Sequence, residues 1–169
     1  DLETSDTKGQ GSATLKDAEF EIISLNDNAV LVEGKLYNKG EVVKTILTDI
    51  EGVASTSADL LPYGKYRIEE SKAPEGYLTD GAEPIEFEIT EDGKIVDLTG
   101  TDTSIYNQVK RGDLEGVKIG AGTHQRLAGV PFRITSKTTG ESHIIVTDDN
   151  GQFSTSSDWA SHKNNTNAG

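Results

Sequence analysis

Apolar and polar residues alternate along much of the chain, in short runs separated by Gly, Pro, Asn and Asp. Side chains on an extended strand point alternately to opposite faces, so this period predicts strands with one buried face. The predicted strands are AEFEIISL (18–25), AVLVEGKLY (29–37), EVVKTILTD (41–49), GKYRIEE (64–70), PIEFEIT (84–90) and KIVDLTG (94–100). The third of these is predicted by its many β-branched residues rather than by alternation. No stretch keeps a helical period over three turns. The pattern predicts an all-β sandwich or barrel.

Three turns carry sequence signals of their own. Glu33-Gly34 interrupts the second run and indicates either a single strand or a hairpin. Asp92-Gly93, inside TEDGK, is typical of a hairpin turn because these residues accept positive φ. TDDNG (147–151) has residue types that bind calcium but lacks the EF-hand spacing, so it also predicts a hairpin turn.

Two stretches of the chain occur twice, in the same order. LKDAEFEIIS (15–24) resembles LAGVPFRITS (127–136), and LTDIEGVASTS (47–57) resembles VTDDNGQFSTS (146–156). Similarity that keeps its order indicates two tandem copies of one module. We expect a first module over residues 1–109 and, over 110–169, the opening part of a second, truncated one.

Composition excludes several classes of partner and site. A formal net charge of −13 disfavours nucleic acids and anionic membranes as partners. The chain has no cysteine, which excludes disulfides and thiolate metal sites. No apolar run is long enough to span a bilayer, so no membrane insertion is expected. The histidines, at 124, 143 and 162, have no ligand spacing, and neither a metal nor a cofactor is predicted.

A long motif in the first module is distinctive. TDIEG (48–52), followed by LPYGKYRIEESKAPEGY (61–77), lies between LKDAEFEI (15–22) and IYNQV (105–109). Together these segments resemble a CnaB-type domain, the transthyretin-like, Greek-key β-sandwich of Gram-positive pilins and cell-wall-anchored adhesins. The resemblance covers residues 1 to about 109. At VKIGAGTHQRLAGVPF (117–132) it extends to the opening of a second such domain, with Gly120 in place of the usual Asp.

The resemblance implies a covalent isopeptide bond between a lysine on the first strand and an asparagine on the last. Its motifs assign Glu70 as the acid that promotes the reaction and Asn107 as the acceptor. They place the donor lysine of the first module just upstream of Asp1, and Lys8 is a poor substitute. Lys118 is the candidate donor of the second module. We therefore expect no such bond in the first module of the 169-residue chain, and we expect a peptide that restores the upstream strand to add and react.

Strand alternation bears on the same assignment. Tyr66, Ile68 and Glu70 share one face of an extended strand, so Glu70 is expected to be buried and Glu69 exposed. Burial would keep a carboxyl protonated by raising its pKa, and desolvation would help to deprotonate a lysine. The alternatives are that Glu70 is an edge-strand glutamate facing solvent and that Asn107 is an ordinary residue at a strand end.

These observations favour a structural function. We expect a stalk or spacer module of an extracellular surface protein or pilin, packed against neighbouring modules of the same chain. Beyond a single-turnover self-crosslinking reaction, no enzyme activity is expected. The alternative is an adhesive module that binds a host protein or glycan, for which the polar tail 156–169 with Trp159 is the place to look.

Overall fold

The computed structural model describes residues 8–100, 102–137 and 140–156, which form strands and turns with no helix. The chain divides into two compact units, Asp1–Lys110 (unit 1) and Arg111–Gly169 (unit 2). The strands of the described residues are β1 (Glu19–Ser24), β2 (Val30–Val32), β3 (Lys35–Tyr37), β4 (Val42–Leu47), β5 (Gly64–Lys72), β6 (Tyr77–Leu78), β7 (Ile85–Ile89), β8 (Gln108–Val109), β9 (Glu115–Val117), β10 (Pro131–Thr135), β11 (Ser142–Val146) and β12 (Gln152–Ser154). The predicted all-β class is confirmed.

Unit 1 is built on an antiparallel four-stranded sheet with the order β4-β1-β5-β7. Two small antiparallel sheets, β2-β3 and β6-β8, complete the described part of this unit. The pairing of β2 with β3 shows that AVLVEGKLY (29–37) forms a hairpin rather than a single strand. Glu33 and Gly34 both have positive φ, at 48° and 81°, as short hairpin turns favour.

The core of unit 1 lies on one face of the large sheet. Register places Ile22 opposite Ile68 and Tyr66 opposite Phe87. Tyr66 is fully buried, and its ring stacks on Phe87 with the centroids 5.8 Å apart. Its hydroxyl donates to the carbonyl of Pro62 at 2.9 Å, so burial of this ring leaves no polar atom unsatisfied. The buried core residues are Ile22, Val30, Val32, Val43, Ile46 and Tyr66.

One predicted strand does not form. Residues 94–100 contain no strand, and the side chain of Ile95 is 87% exposed. The turn before them exists, since the Lys94 amide donates to the Glu91 carbonyl and Gly93 has a φ of 67°. Among the described residues, however, nothing pairs with the outer edge of β7. Alternating residues need a partner strand to become a sheet, so the prediction of a hairpin at this turn was wrong.

A buried threonine organises the β1-β4 end of unit 1. The Thr48 hydroxyl donates to the Leu15 carbonyl at 2.6 Å and accepts the Ala18 amide at 2.9 Å. The next residue, Asp49, closes the turn that follows, because its carboxylate accepts the amides of Glu51 and Val53. One side chain thus ties the segment before β1 to the end of β4.

The same hydrogen bonds recur in unit 2. The Thr147 hydroxyl donates to the Leu127 carbonyl at 2.8 Å and accepts the Val130 amide at 2.9 Å. Asp148 then accepts the amides of Asn150 and Gln152, which forms a turn at TDDNG. The hairpin predicted there was wrong, because β11 pairs with β10 and β12 with β9 rather than with each other.

The strands flanking these networks also share a register. In unit 2, β10 pairs with β11 so that Phe132 lies opposite Ile145. In unit 1, Phe20 lies opposite Ile46 in the same way. Unit 2 adds a second pair, in which β12 lies antiparallel to β9. The repeated sequence stretches therefore adopt matching local structures.

Candidate functional site

β5 carries Glu70 on the face that bears the core. Glu70 lies opposite Phe20 of β1, in register with the Ile22–Ile68 pair, so it follows Tyr66 and Ile68 along the inner face. It is half-buried rather than fully buried. Glu69 lies on the other face, where its side chain is 33% exposed and its Oε2 lies 3.1 Å from Nε of Arg67. The predicted faces agree with the structure, whereas the predicted contrast in burial was too strong.

Asn107 meets Glu70 at this position. Its Nδ2 donates to Oε2 of Glu70 at 2.5 Å, although the two residues lie 37 positions apart. Asn107 directly precedes β8, which pairs with β6 through Tyr77–Val109 and Leu78–Gln108. β6 begins shortly after β5 ends, so the pairing of two very short strands brings the asparagine to the glutamate.

The carboxyl of Glu70 is poorly solvated. Its Oε1 is buried and has no hydrogen-bond partner among the described residues. Burial raises the pKa of Glu70 above its usual value, and the hydrogen bond from Asn107 opposes this rise. A carboxyl in such an environment retains its proton to higher pH than an exposed glutamate.

The contact between the two side chains uses the amide nitrogen. An acid that polarises an amide for attack donates a hydrogen bond to the amide oxygen, but here Glu70 accepts from Nδ2. In this orientation Oε2 lies beside the atom that would leave as ammonia. Rotation of the amide about its Cβ–Cγ bond exchanges the two atoms and would bring Oδ1 to a protonated Oε2.

Lys118, the candidate donor of the second module, lies in unit 2. It directly follows β9, and its Nζ donates to the carbonyl of Ile119 at 2.8 Å. Strand alternation places it on the same face as Gly116, over which the ring of Phe153 lies. The structure thus brings Glu70 and Asn107 together within unit 1 and holds Lys118 in unit 2. The tail with Trp159 lies outside the described residues.

Sequence reasoning missed the part played by the loop that joins β5 to β6. The sequence pattern identified residues 73–76 only as part of a family motif. In the structure the carbonyls of Glu75 and Gly76 accept amides from Thr14 and Lys110, which lie on two distant segments. The Gly in this motif was the available signal, since a glycine between a strand end and an aromatic residue often marks a close backbone approach.

Other kinds of site find no support in the described ranges. They contain no cluster of three or more His, Cys, Asp or Glu side chains able to hold a metal ion. Within the same residues, no helix has the length and apolar character needed to cross a membrane.

Comparison with known proteins identifies the family. The sequence profile of the SpaA prealbumin-like fold domain matches residues 1–104. The chain belongs to this family. Prealbumin is another name for transthyretin, so the predicted transthyretin-like β-sandwich is confirmed. As a SpaA-type prealbumin-like domain, unit 1 is a module of the surface-protein and pilin type.

The structure also resembles the Bacillus anthracis TIE protein. The two share 29% sequence identity with a TM-score of 0.50, over 82% of this chain and 23% of that one. The chain therefore spans less than a quarter of the length of this relative. Among curated proteins the chain has no match.

Proposed function

We propose that unit 1 is a spacer module of an extracellular, cell-wall-anchored surface protein or pilin, locked by an autocatalytic isopeptide bond. The observation that carries the proposal is the hydrogen bond between Asn107 and Glu70 on the inner face of the sheet. Membership of the SpaA prealbumin-like family supports the surface-protein setting. Glu70 is the acid, Asn107 is the acceptor, and the family pattern puts the donor lysine upstream of Asp1.

The reaction is an amide exchange. The neutral amine of the donor lysine attacks Cγ of Asn107, a Cγ–N bond forms, and the Cγ–Nδ2 bond breaks. The Glu70 carboxyl takes a proton from the attacking nitrogen and gives one to Nδ2, which leaves as ammonia. Oε1 would receive the first proton, which its burial without a partner among the described residues supports. The fold supplies proximity, which accounts for much of the rate in a reaction with no other catalyst.

The position of the bond suits a load-bearing module. It would join the first strand of the domain to the segment that leads into β8, near the end of unit 1. A force applied at the two ends of the unit would then pass through a covalent bond rather than through the hydrogen-bonded sheet. The strands between the two attachment points would stay folded under that force.

Tandem repetition of this module extends the proposal to unit 2. The threonine networks around Thr48 and Thr147 support two copies of one domain. Lys118 would then be the donor of the second copy. Its position immediately after β9 supports this role, because β9 is the first strand of unit 2.

Single-molecule pulling tests the spacer function. The chain is extended upstream of Asp1 with a copy of residues 114–119, so that a lysine lies two positions before Asp1 (hereafter the extended chain). We expect unit 1 of the extended chain to resist unfolding, whereas the Glu70→Ala variant lengthens on pulling. Replacing the added lysine by arginine is the matched control and should behave as Glu70→Ala does. Full lengthening of a covalently linked unit 1 would contradict the spacer function.

A further inference from the structure

The loop between β5 and β6 contacts two separate segments of unit 1. It follows directly on the strand that carries Glu70. The carbonyl of Gly76 accepts the Lys110 amide at 2.8 Å, which continues the β6-β8 ladder beyond Val109. The carbonyl of Glu75 accepts the Thr14 amide at 3.0 Å. The loop therefore touches both the segment before β1 and the strand that follows Asn107.

Gly76 fits at this junction because it has no side chain. Its φ is 93°, in the region that favours glycine. A Cβ added at this position would lie 2.4 Å from Cβ and 2.8 Å from Cα of Ala13. Both distances are too short for carbon atoms, so any larger residue must displace the segment before β1, the loop, or both. The neighbouring Tyr77 adds a further contact, because its hydroxyl accepts the Gln10 amide at 3.3 Å.

The same glycine is coupled to the acceptor. Asn107 and Lys110 lie on one short extended segment, so a shift of the Gly76 carbonyl moves this segment through the Lys110 amide. Glu70 stays with β5, which pairs with β1 at Glu70 itself, opposite Phe20, and with β7 as far as Ile68. A displaced loop therefore changes the distance between Asn107 and Glu70 rather than moving the two residues together.

We propose that Gly76 is a positioning residue for the cross-linking reaction. Its backbone sets the segment before β1 and the acceptor segment at fixed positions relative to Glu70. This inference rests on the proposed function, but the Asn107–Glu70 contact that Gly76 controls exists without any cross-link. The role can be measured on the chain as it stands.

NMR on the 169-residue chain tests the inference. The signals are the side-chain amide protons of Asn107 and the titration of the Glu70 carboxyl carbon. In Gly76→Ala we expect the Asn107 signals to move toward those of a free amide. We also expect the pKa of Glu70 to rise above its wild-type value, because the hydrogen bond that lowers it weakens while burial remains.

Gly40→Ala is the matched control. Gly40 has a similar φ of 85°, but a Cβ there would meet nothing within 4 Å. This variant carries the same backbone strain without the contact, so it should lose stability and leave both signals unchanged. Adding Ala13→Gly to Gly76→Ala removes the shorter clash and should restore part of the wild-type signals. If Gly76→Ala acted only by lowering stability, adding Ala13→Gly would not restore the Asn107 and Glu70 signals.

Ala13→Val keeps the test decisive if Gly76→Ala does not fold. It crowds the same contact from the other side and leaves the backbone of the loop unaltered, so it should shift the same two signals. In the extended chain, both substitutions should slow the release of ammonia by about tenfold or more, as expected for misplaced reactants. Unchanged Asn107 and Glu70 signals in both variants would overturn the positioning role. If the signals shift as predicted in the variants but the extended chain with Gly76 and Ala13 unchanged never forms the bond, the proposed function would be overturned instead.

Discussion

Units 1 and 2 share a local framework but differ in the chemistry attached to it. Thr48 and Thr147 make the same pair of hydrogen bonds, and the strands beside them share a register. In unit 1 the site residues lie outside this framework, on β5 and before β8. In unit 2 the candidate lysine follows β9, and its backbone is tied to the framework, because its amide donates to Gly151 and its carbonyl accepts from Leu127. The comparison indicates that a few backbone-binding side chains specify the framework, while separate strands carry the reactive groups.

Substitution of the turn glycine after each threonine network should produce the largest difference in stability between the two units. Gly52 and Gly151 both have positive φ, at 79° and 70°. A Cβ at Gly151 would lie 2.9 Å from the Leu127 amide nitrogen and 3.0 Å from the Lys118 carbonyl oxygen, whereas at Gly52 it would meet only the Leu15 side chain, at 3.2 Å. Side chains yield more easily than backbone. We expect Gly151→Ala to destabilise unit 2 by about 3 kcal/mol and Gly52→Ala to destabilise unit 1 by about 1 kcal/mol.

Native-state hydrogen exchange, followed separately in each unit, measures this difference. The amides of Ala18 and Val130 report on the two networks, because each is bonded to its threonine hydroxyl. Equal losses in the two units would show that the tighter packing around Gly151 carries no cost.

Removal of the threonine hydroxyls should instead affect the two units alike. Thr48→Ala and Thr147→Ala each leave a buried amide and a carbonyl without their partner, which costs about 2 kcal/mol. Thr→Val at the same positions keeps the shape and still removes the hydroxyl, so it serves as the matched control for packing. Hydrogen exchange in each unit gives the free energies. A loss of stability in only one of the two units would show that the two networks are not equivalent.

Glu70 should give unit 1 a pH dependence of stability that its replacement removes. Because burial raises the pKa of Glu70, the folded state binds this proton more tightly than the unfolded chain does. The contribution is complete below the ordinary glutamate pKa, about 4.3, and is lost as pH rises through the raised value. The wild type should therefore lose stability across this window relative to Glu70→Gln.

Urea denaturation at a series of pH values measures the effect. Glu69→Gln, on the opposite face of the same strand, corrects for the change in net charge. Wild-type and Glu70→Gln curves that run parallel over the whole range would contradict the burial of the carboxyl.

The smallest expected effect comes from a position at which both matched segments have positive φ but carry different residue types. Asp17 has a φ of 63°, and its counterpart Gly129 has a φ of 71°. A residue with a Cβ is strained in this region, although aspartate tolerates it better than most. Asp17→Gly should stabilise unit 1 by about 0.5 kcal/mol, and Gly129→Asp should destabilise unit 2 by a similar amount. A destabilising Asp17→Gly would mean that the aspartate makes a contact worth more than its strain.

The strength of the sequence signal followed the length of each strand. β1 and β5 alternate over several residues and were predicted from that period, whereas β4 was predicted from its β-branched residues. β6 and β8 have two residues each and pair across a long separation, so no local pattern could reveal them. Residues 94–100 show the converse case, in which a strand-like pattern lacks a partner. The face of Glu70 followed from alternation, but its contact with Asn107 depends on the β6-β8 pairing and was anticipated only through the family resemblance.

The intact mass of the extended chain tests the central claim most directly. Docking of the added strand is followed as protection of the amides over residues 53–57, which correspond to β12 and the residues after it. We expect the mass of the extended chain to be lower than the mass of its sequence by one ammonia. We also expect its proteolytic digest to contain a cross-linked peptide in which the added lysine is joined to Asn107. The Glu70→Ala variant should dock and retain its full mass. A docked strand that leaves the unaltered chain at full mass would contradict the assignment of Glu70 and Asn107 as a reactive pair.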